Sequence, residues 1–265
     1  MPEAEEVFDL IFYRPLAYLL VMGLSVTSIT PNQVTILSLI AGIIAAYHLS
    51  LGVTGALFLA ALWYALANIF DCADGQLARV KKNGTPLGRL VDGVADYISS
   101  VAIFLGIGFG LAAINQSNWW LVIAGGLSSA LHAIRFDDVQ GRFIARVKGV
   151  TDIHAMEREK YSAQIAEYQK KGRKGIKFVF LNLYMGYLTV QQRFQSPQPS
   201  VKDQEKTSKS SIIRLWTFLG PTTNRTLLII SALLGNIHIY LWTVLIVGNF
   251  WLVVCTILQK RIDKI

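Results

Sequence analysis

The stretch DCADGQLARVKKNGTPLGRLVDGVAD, residues 71–96, carries four aspartates between two long apolar runs. Asp71 and Asp74 are three residues apart, and Asp92 and Asp96 are four apart, so each pair lies on one face of a helix. The intervening KKNGTP contains Asn-Gly and Pro, which are typical of a turn. A short turn makes the two helices antiparallel neighbours. The sequence therefore predicts that the four carboxylates converge at one end of a helix pair.

The composition indicates a membrane protein. Of the 265 residues, 53% are hydrophobic and 16% are charged, whereas a soluble domain is about 25% charged. Several apolar runs approach the roughly 20 residues that a bilayer-spanning helix needs. The formal net charge is +8. Because the basic residues cluster between the apolar runs, they indicate an anionic membrane surface rather than nucleic acid as the partner.

The apolar runs predict an all-α membrane protein with a single domain over residues 1–265. Residues 4–24 are apolar but interrupted by Asp9, Arg14 and Pro15, which favours an N-terminal amphipathic helix lying in the membrane interface. Thr30 is expected to cap the first transmembrane helix, with Pro31 in its first turn. The six predicted spans cover residues 34–51, 56–80, 88–114, 119–136, 224–234 and 238–258. The first four form the region 34–140, and the last two form the region 220–258.

A basic insert, residues 141–215, separates the fourth span from the fifth. It contains fifteen Lys or Arg against six Asp or Glu, and its segment 176–190 could lie in the interface. The turns LGVTG, INQSN and LGNIH contain no Lys or Arg. Positive residues prefer the cytoplasmic side, so we expect the N-terminus, the insert and the aspartates on that side. The acidic N-terminus does not resemble a cleavable signal peptide.

Four converging carboxylates would repel one another strongly in a medium of low dielectric constant. Protonation, cationic partners or divalent metal could each relieve that repulsion, and Mg²⁺ or Mn²⁺ is the natural choice for oxygen ligands. Gly75, Ala78 and Gly88 leave room for a flat ligand to approach the backbone. Arg79 and the Lys81–Lys82 pair add cations at the rim. Metal, cations and a groove at a membrane surface together suggest a pyrophosphate ligand.

The stretch resembles the signature of the CDP-alcohol phosphotransferases, also called CDP-alcohol phosphatidyltransferases. Eight identities match at the family's spacings: Asp71, Asp74, Gly75, Ala78, Arg79, Gly88, Asp92 and Asp96. The resemblance implies six transmembrane helices after an interfacial helix, usually in a homodimer, and a multi-pass protein of the bacterial inner membrane. It also implies metal-dependent cleavage of a CDP-alcohol, release of CMP and transfer of the phosphoalcohol to an acceptor hydroxyl.

The resemblance also implies roles for individual residues. Asp71, Asp74, Asp92 and Asp96 would hold Mg²⁺ or Mn²⁺, with two ions expected, and Asp96 would be the general base. The cytidine diphosphate pocket would be lined by Asn32, Asp71, Gly75, Ala78, Arg79 and Gly88. Arg135 and Arg225 are candidates for binding the acceptor.

Each assignment has a structural alternative. Asn32 could instead cap the first span, the small residues could serve tight helix packing, and Arg79, Arg135 and Arg225 could anchor helix ends. His132 could bind an acceptor group or serve as an anchor. Asp137 and Asp138 are expected to be solvated.

The alternative function is a divalent-cation or proton-coupled transporter. Its ion path would continue across the membrane, yet residues 97–114 carry no charge. The sequence does not distinguish two possible donors, CDP-diacylglycerol and a CDP-linked headgroup. It also does not distinguish a soluble alcohol from a lipid alcohol as the acceptor. The role of the insert also stays open.

Overall fold

The computed structural model describes residues 2–147, 153–171, 175, 178–179, 181–182, 185–186 and 210–263, and no β-strand occurs among them. The predicted interfacial segment at 176–190 lies largely outside these residues. A π-helical turn, Asp9–Tyr13, leads into the first helix. The helices are α1 (Arg14–Ser25), α2 (Pro31–Ser50), α3 (Thr54–Val80), α4 (Pro86–Ala113), α5 (Trp119–Val147), α6 (Ile153–Lys170), α7 (Ser210–Trp216), α8 (Pro221–Leu233), α9 (Ile237–Trp242) and α10 (Asn249–Asp263).

Side-chain caps fix the starts of α2 and α4. Thr30 and Gln33 form a capping box, in which Gln33 N donates to Thr30 Oγ1 at 3.4 Å and Thr30 N donates to Gln33 Oε1 at 2.8 Å. The predicted cap at Thr30 is thereby confirmed. Thr85 caps α4 by accepting a hydrogen bond from Gly88 N at 3.0 Å. Pro follows the cap in both helices, where its missing N–H costs nothing.

Helix α2 packs along both α3 and α4, while α1 and α8 pack against α3. The contact of α2 with α4 depends on small residues. A Cβ atom on Gly106 would overlap the carbonyl oxygen of Ala46, and one on Gly110 would overlap that of Leu49. Gly106 and Gly110 are four residues apart, the spacing that lets membrane helices approach closely. These glycines therefore set the distance between α4 and α2.

Among the residues that the structure describes, four helices are long and apolar enough to cross a membrane, by length and composition. They are Pro31–Ser50, Thr54–Val80, Val91–Ala113 and Ile237–Arg261, the last of which includes a π-helical turn at Thr243–Gly248. The remaining two predicted spans correspond to α5, which continues well beyond residue 136, and to α8, which has 13 residues. Large apolar side chains are exposed on the outer faces of α2 and α4, as a lipid-facing surface requires.

We predict that Gly106→Ala destabilises the protein in detergent by roughly 1–3 kcal/mol, because the added methyl group meets backbone rather than a movable side chain. Thermal unfolding followed by intrinsic fluorescence measures the effect. The matched control is Gly55→Ala on α3, where no atom lies within 4 Å of the added Cβ. Equal unfolding temperatures for the two variants would contradict the close approach of α4 to α2.

Candidate active site

The aspartates of the quoted stretch meet where α3 ends and α4 begins. One carboxylate oxygen from each of Asp71, Asp74 and Asp92 lies within 4.8 Å of the other two. The predicted convergence is confirmed for these three residues. A tight turn joins α3 and α4, and both helices pack against α2 rather than extensively against each other. The three oxygens enclose a space that a divalent cation could occupy.

Asp74 is the most buried aspartate of the cluster, with 6% of its surface exposed. Its Oδ2 accepts a hydrogen bond of 2.6 Å from Thr35 Oγ1 on α2. The hydroxyl thereby fixes the orientation of the carboxylate toward Asp71 and Asp92. Thr35 was not predicted as a site residue, although it lies one turn after Asn32 and is a polar residue at the start of an apolar helix.

Arg225 on α8 reaches into the carboxylate cluster. Its guanidinium donates to Asp71 Oδ2 at 2.9 Å and to Asp96 Oδ1 at 2.7 Å. A third bond, of 3.1 Å, goes to Asn68 Oδ1, one turn before Asp71 on α3. The arginine was predicted as an acceptor-binding residue, and its contact with the aspartates was not foreseen. Asn68 was also missed, despite being a polar residue within the apolar part of α3.

Asp96 differs from Asp74 in its access to solvent. Its side chain is 43% exposed, whereas that of Asp71 is 26% exposed. Within the described residues it joins the cluster through Arg225 rather than through the group of three close oxygens. The site therefore combines one buried and two half-buried carboxylates suited to a cation with one carboxylate that a second molecule can reach.

Several predicted nucleotide-pocket residues lie close to one another beside the cluster. A Cβ on Gly88 would stand 3.0 Å from Asn32 Oδ1 and 3.3 Å from Thr85 Oγ1, so Asn32 and Gly88 adjoin across α2 and α4. A Cβ on Gly75 would have Arg79 Nη1 at 3.7 Å as its nearest neighbour, and Ala78 lies one turn along α3, facing Gly84. Thr30, and not Asn32, caps α2.

Other basic residues have structural partners. Lys81 Nζ donates to the carbonyl oxygens of Thr27 and Ile29, both at 2.7 Å. This lysine ties the α1–α2 connection to the end of α3, and its contribution to the cationic rim stays a prediction. Arg79 carries no such structural bond among the described contacts and faces Gly75.

The end of α5 forms a buried ion-pair group. Asp138 is 6% exposed and pairs with Arg142 Nη2 at 2.8 Å and with Arg135 Nη1 at 3.6 Å. The expectation that Asp138 is solvated was therefore wrong, because the continuation of α5 places basic partners three residues before it and four after it. His132 is buried and bonds Asn249 at 3.1 Å, which makes it a packing residue between α5 and α10.

An apolar cavity of about 440 Å³ adjoins the polar cluster. Its lining extends along α5 from Trp119 to Asp137 and includes residues of α4 such as Phe104, with Tyr64 on α3. Asn224 and Arg225 contribute polar atoms to the same cavity. A polar headgroup and an apolar chain of one molecule could thus be held side by side, one at the carboxylates and one along the helices.

Comparison with known proteins agrees with this arrangement. The CDP-alcohol phosphatidyltransferase family matches residues 28–188. The chain is 31% identical to a phosphatidylinositol phosphate synthase of Mycobacteroides abscessus over 119 residues, which are 45% of this chain and 49% of that protein. It is 36% identical to a phosphatidylinositol phosphate synthase of Corynebacterium glutamicum over 40% of this chain and 42% of that protein.

A further relative is the bifunctional IPC transferase and DIPP synthase of Thermococcus kodakarensis, 36% identical over 38% of this chain and 22% of that protein. The chain thus spans less than half the length of each of these curated relatives. The family match covers more than half of the chain and includes all four aspartates, α2, α3 and α4. The protein belongs to the CDP-alcohol phosphatidyltransferase family.

Proposed function

We propose that this protein is a phospholipid-synthesis transferase that cleaves the pyrophosphate of a CDP-alcohol, releases CMP and transfers a phosphatidyl group to an acceptor hydroxyl. The observation that carries the proposal is the cluster of Asp71, Asp74 and Asp92, which lies within the matched family region. Arg225, from outside that region, contacts the cluster through Asp71. Phosphoryl transfer needs charge neutralisation and positioning more than covalent help from the protein. The apolar cavity at Arg225 suits the lipid part of CDP-diacylglycerol.

We infer a phosphorylated polyol as the acceptor class. Relatives from two genera are named for a phosphatidylinositol phosphate product, which forms if the accepting hydroxyl belongs to a polyol that already carries a phosphate. Arg225 supports this choice because its planar guanidinium, which now bonds carboxylates, can form the same paired hydrogen bonds with a phosphate. Arg135, on α5, is a second candidate for that phosphate. A CDP-linked headgroup and a lipid alcohol are the competing substrate pair.

The carboxylates fit a divalent metal. Three oxygens within 4.8 Å of one another form a hard, anionic donor set, and one arginine offsets only part of the charge of four carboxylates. Asp71, Asp74 and Asp92, with Asp96 beside them, would hold Mg²⁺ or Mn²⁺, and the charge favours two ions. When bound, such ions neutralise the charge that develops on the transferred phosphate.

In the proposed reaction, Asp96 accepts the proton of the acceptor hydroxyl. The oxygen attacks the phosphorus that bears the diacylglycerol group, the new phosphorus–oxygen bond forms, and the bond to the bridging pyrophosphate oxygen breaks. CMP leaves with the electron pair of that bond. The exposure of Asp96 supports its role, since an acceptor can reach it from water. Gly75, Ala78, Arg79, Gly88 and Asn32 would line the pocket for the nucleotide half.

In the membrane, we propose six spans within one domain, with residues 4–24 in the interface and the aspartates at the cytoplasmic face of a bacterial inner membrane. Helix α5, with 29 residues, reaches about 43 Å and is long enough to cross. Helix α8 would cross together with the preceding α7 and its 3₁₀ turn. A homodimer is inferred from the family resemblance. The transporter alternative has weaker support because α4 carries no charge beyond Asp96.

Labelling of single cysteines tests this topology. In a background that lacks Cys72 and Cys255, Ser117→Cys should react with a membrane-impermeant maleimide in intact cells. Asn83→Cys, in the turn beside the aspartates, should react only after permeabilisation, because positive residues prefer the cytoplasmic side. Both residues are exposed. The opposite labelling pattern would place the active site outside the cytoplasm.

The function is tested by incubating the purified protein with CDP-diacylglycerol or CDP-linked headgroups and a panel of acceptors, with release of CMP and product mass as readouts. We expect turnover with CDP-diacylglycerol and a phosphorylated polyol, only when Mg²⁺ or Mn²⁺ is present. Asp96→Asn should lower kcat by roughly 10²–10⁴-fold, because the amide cannot accept the proton. The control is Glu167→Gln, an exposed carboxylate of α6. Turnover that is unchanged in Asp96→Asn would exclude Asp96 as the base.

Thr35 should determine how tightly metal is held. Thr35→Val keeps the side-chain shape but removes the hydrogen bond to Asp74. We expect the concentration of Mg²⁺ at half-maximal activity to rise by roughly 10–100-fold, as for other groups that orient metal ligands. Thr35→Ser retains the hydroxyl and should stay within a few-fold of the wild type. If both variants titrate like the wild type, Thr35 does not orient the metal site.

A further inference from the structure

The segment before α1 contacts the helices that carry the active-site residues. Cys72 Sγ on α3 lies 3.5 Å from Asp9 Oδ1, and Gln76 Nε2 donates to the carbonyl oxygen of Arg14 at 3.2 Å. On α8, Thr226 Oγ1 lies 3.1 Å from the hydroxyl oxygen of Tyr13. The N-terminal segment therefore touches α3 next to Asp71 and α8 next to Arg225.

Glu6 makes the most specific of these contacts. Its side chain is buried, at 4% exposure, and its carboxylate covers the N-terminus of α8. Oε1 accepts a hydrogen bond from Thr222 N at 3.1 Å, and Oε2 accepts from Thr223 N at 2.7 Å and from Thr223 Oγ1 at 2.8 Å. These N–H groups have no partner within the helix. Glu6 thus caps α8 from a segment more than 200 residues away in sequence.

The chain leaves space for this cap. A Cβ atom on Gly220, the residue before α8, would overlap the carboxyl group of Glu6. The backbone of Gly220 has φ −69° and ψ 161°, which any residue can adopt. Glycine is therefore needed at this position for room and not for its conformational freedom.

Burial makes the carboxyl group of Glu6 costly to ionise. Burial raises the pKa of Glu6 from 4.5 to about 7, even though hydrogen bonds from Thr223 and Thr222 lower it. A carboxyl whose pKa is higher in the folded state favours folding most below its unfolded pKa, and this contribution is lost as the pH rises through about 7. At neutral pH and above, the ionised carboxylate of Glu6 therefore lowers the free energy of unfolding. Ionisable groups with perturbed pKa values are common at functional positions.

Arg225 follows two residues after Thr223, in the second turn of α8. Its guanidinium bridges Asp71 on α3 and Asp96 on α4 with bonds of 2.9 and 2.7 Å, so a small rotation or shift of α8 would break one of them. The first turn of α8 is where such a shift is resisted, because Glu6 holds both of its leading N–H groups.

We propose that Glu6 is a positioning residue for Arg225: by capping α8, it sets the register in which the guanidinium meets the carboxylates and the acceptor. The inference rests on the proposed function for its kinetic consequence. It makes the N-terminal segment a part of the active centre rather than a membrane anchor alone.

The kinetic test uses Glu6→Gln in the full-length protein. The amide keeps the shape but presents an N–H group to a backbone N–H of α8. We expect kcat/KM for the phosphorylated acceptor to fall roughly 10–100-fold, with the KM for CDP-diacylglycerol unchanged, since misplacement of a positioning group costs rate. The matched control is Gln140→Ala, which removes the 2.6 Å bond from Gln140 Nε2 to the carbonyl oxygen of Ala4 but leaves the cap. An equal loss in this control would assign the effect to N-terminal docking in general and overturn the proposal.

A double-mutant cycle with Arg225→Ala shows whether Glu6 acts through Arg225. If it does, Glu6→Gln should have little further effect in the Arg225→Ala background. Fully additive losses would overturn the proposal. Hydrogen exchange provides a readout of the cap: the amides of Thr222 and Thr223 should lose protection in Glu6→Gln and keep it in Gln140→Ala. Unchanged protection in Glu6→Gln would also overturn it.

Binding of Mn²⁺, measured by electron paramagnetic resonance in the absence of substrates, separates this inference from the proposed function. Displacement of Arg225 removes the internal cation from the carboxylates, so the Kd for Mn²⁺ should fall in both Glu6→Gln and Arg225→Ala, and no further in the double variant. A protein that binds Mn²⁺ in this pattern but releases no CMP would refute the proposed function and leave the role of Glu6 standing. If instead the protein releases CMP, and Glu6→Gln binds Mn²⁺ with the same affinity as the wild type, the proposed role of Glu6 is refuted and the proposed function stands.

Discussion

Arg225 places one guanidinium between carboxylates of α3 and α4, and the arrangement of this end of the molecule depends on that contact. Two like charges about 4 Å apart repel by about 4 kcal/mol at an effective dielectric constant of 20. The aspartates of two neighbouring helices would drive the helix ends apart if no cation lay between them. The arginine supplies one positive charge from a third helix and so offsets only part of the negative charge of the four carboxylates.

This contact places strict demands on the surrounding helices. Helices α3 and α4 both pack along α2, and the glycines at 106 and 110 permit the close approach of α4 to α2. Helix α8 must start at a defined point for Arg225 to reach both carboxylates, and Glu6 defines that point. Thr35, from α2, then fixes one carboxylate within the cluster. Packing, capping and hydrogen bonding thus converge on the positions of a few oxygen and nitrogen atoms.

Local patterns in the sequence predicted a large part of this architecture. The spacing of the aspartates predicted their convergence, the Thr-Pro pair predicted the start of α2, and the length of the apolar runs predicted the long helices. Contacts between distant segments carried no such signal. Glu6 meets Thr223, and Arg225 meets Asp96, across separations of 217 and 129 residues. Asp138 was misjudged because its partner Arg142 belongs to a continuation of α5 that the change in composition concealed.

The length of α3 has a consequence for where the chemistry takes place. Its 27 residues extend about 40 Å, which exceeds the roughly 30 Å thickness of the hydrocarbon layer. Asp71 and Asp74 lie toward the C-terminal end of the helix, about 26 and 30 Å from its start. In the proposed membrane arrangement, the length of α3 would hold the site at the level where the acyl chains end and the headgroups begin. In the proposed reaction a lipid substrate would react there without leaving its leaflet, and the thickness of the bilayer would influence the proposed activity.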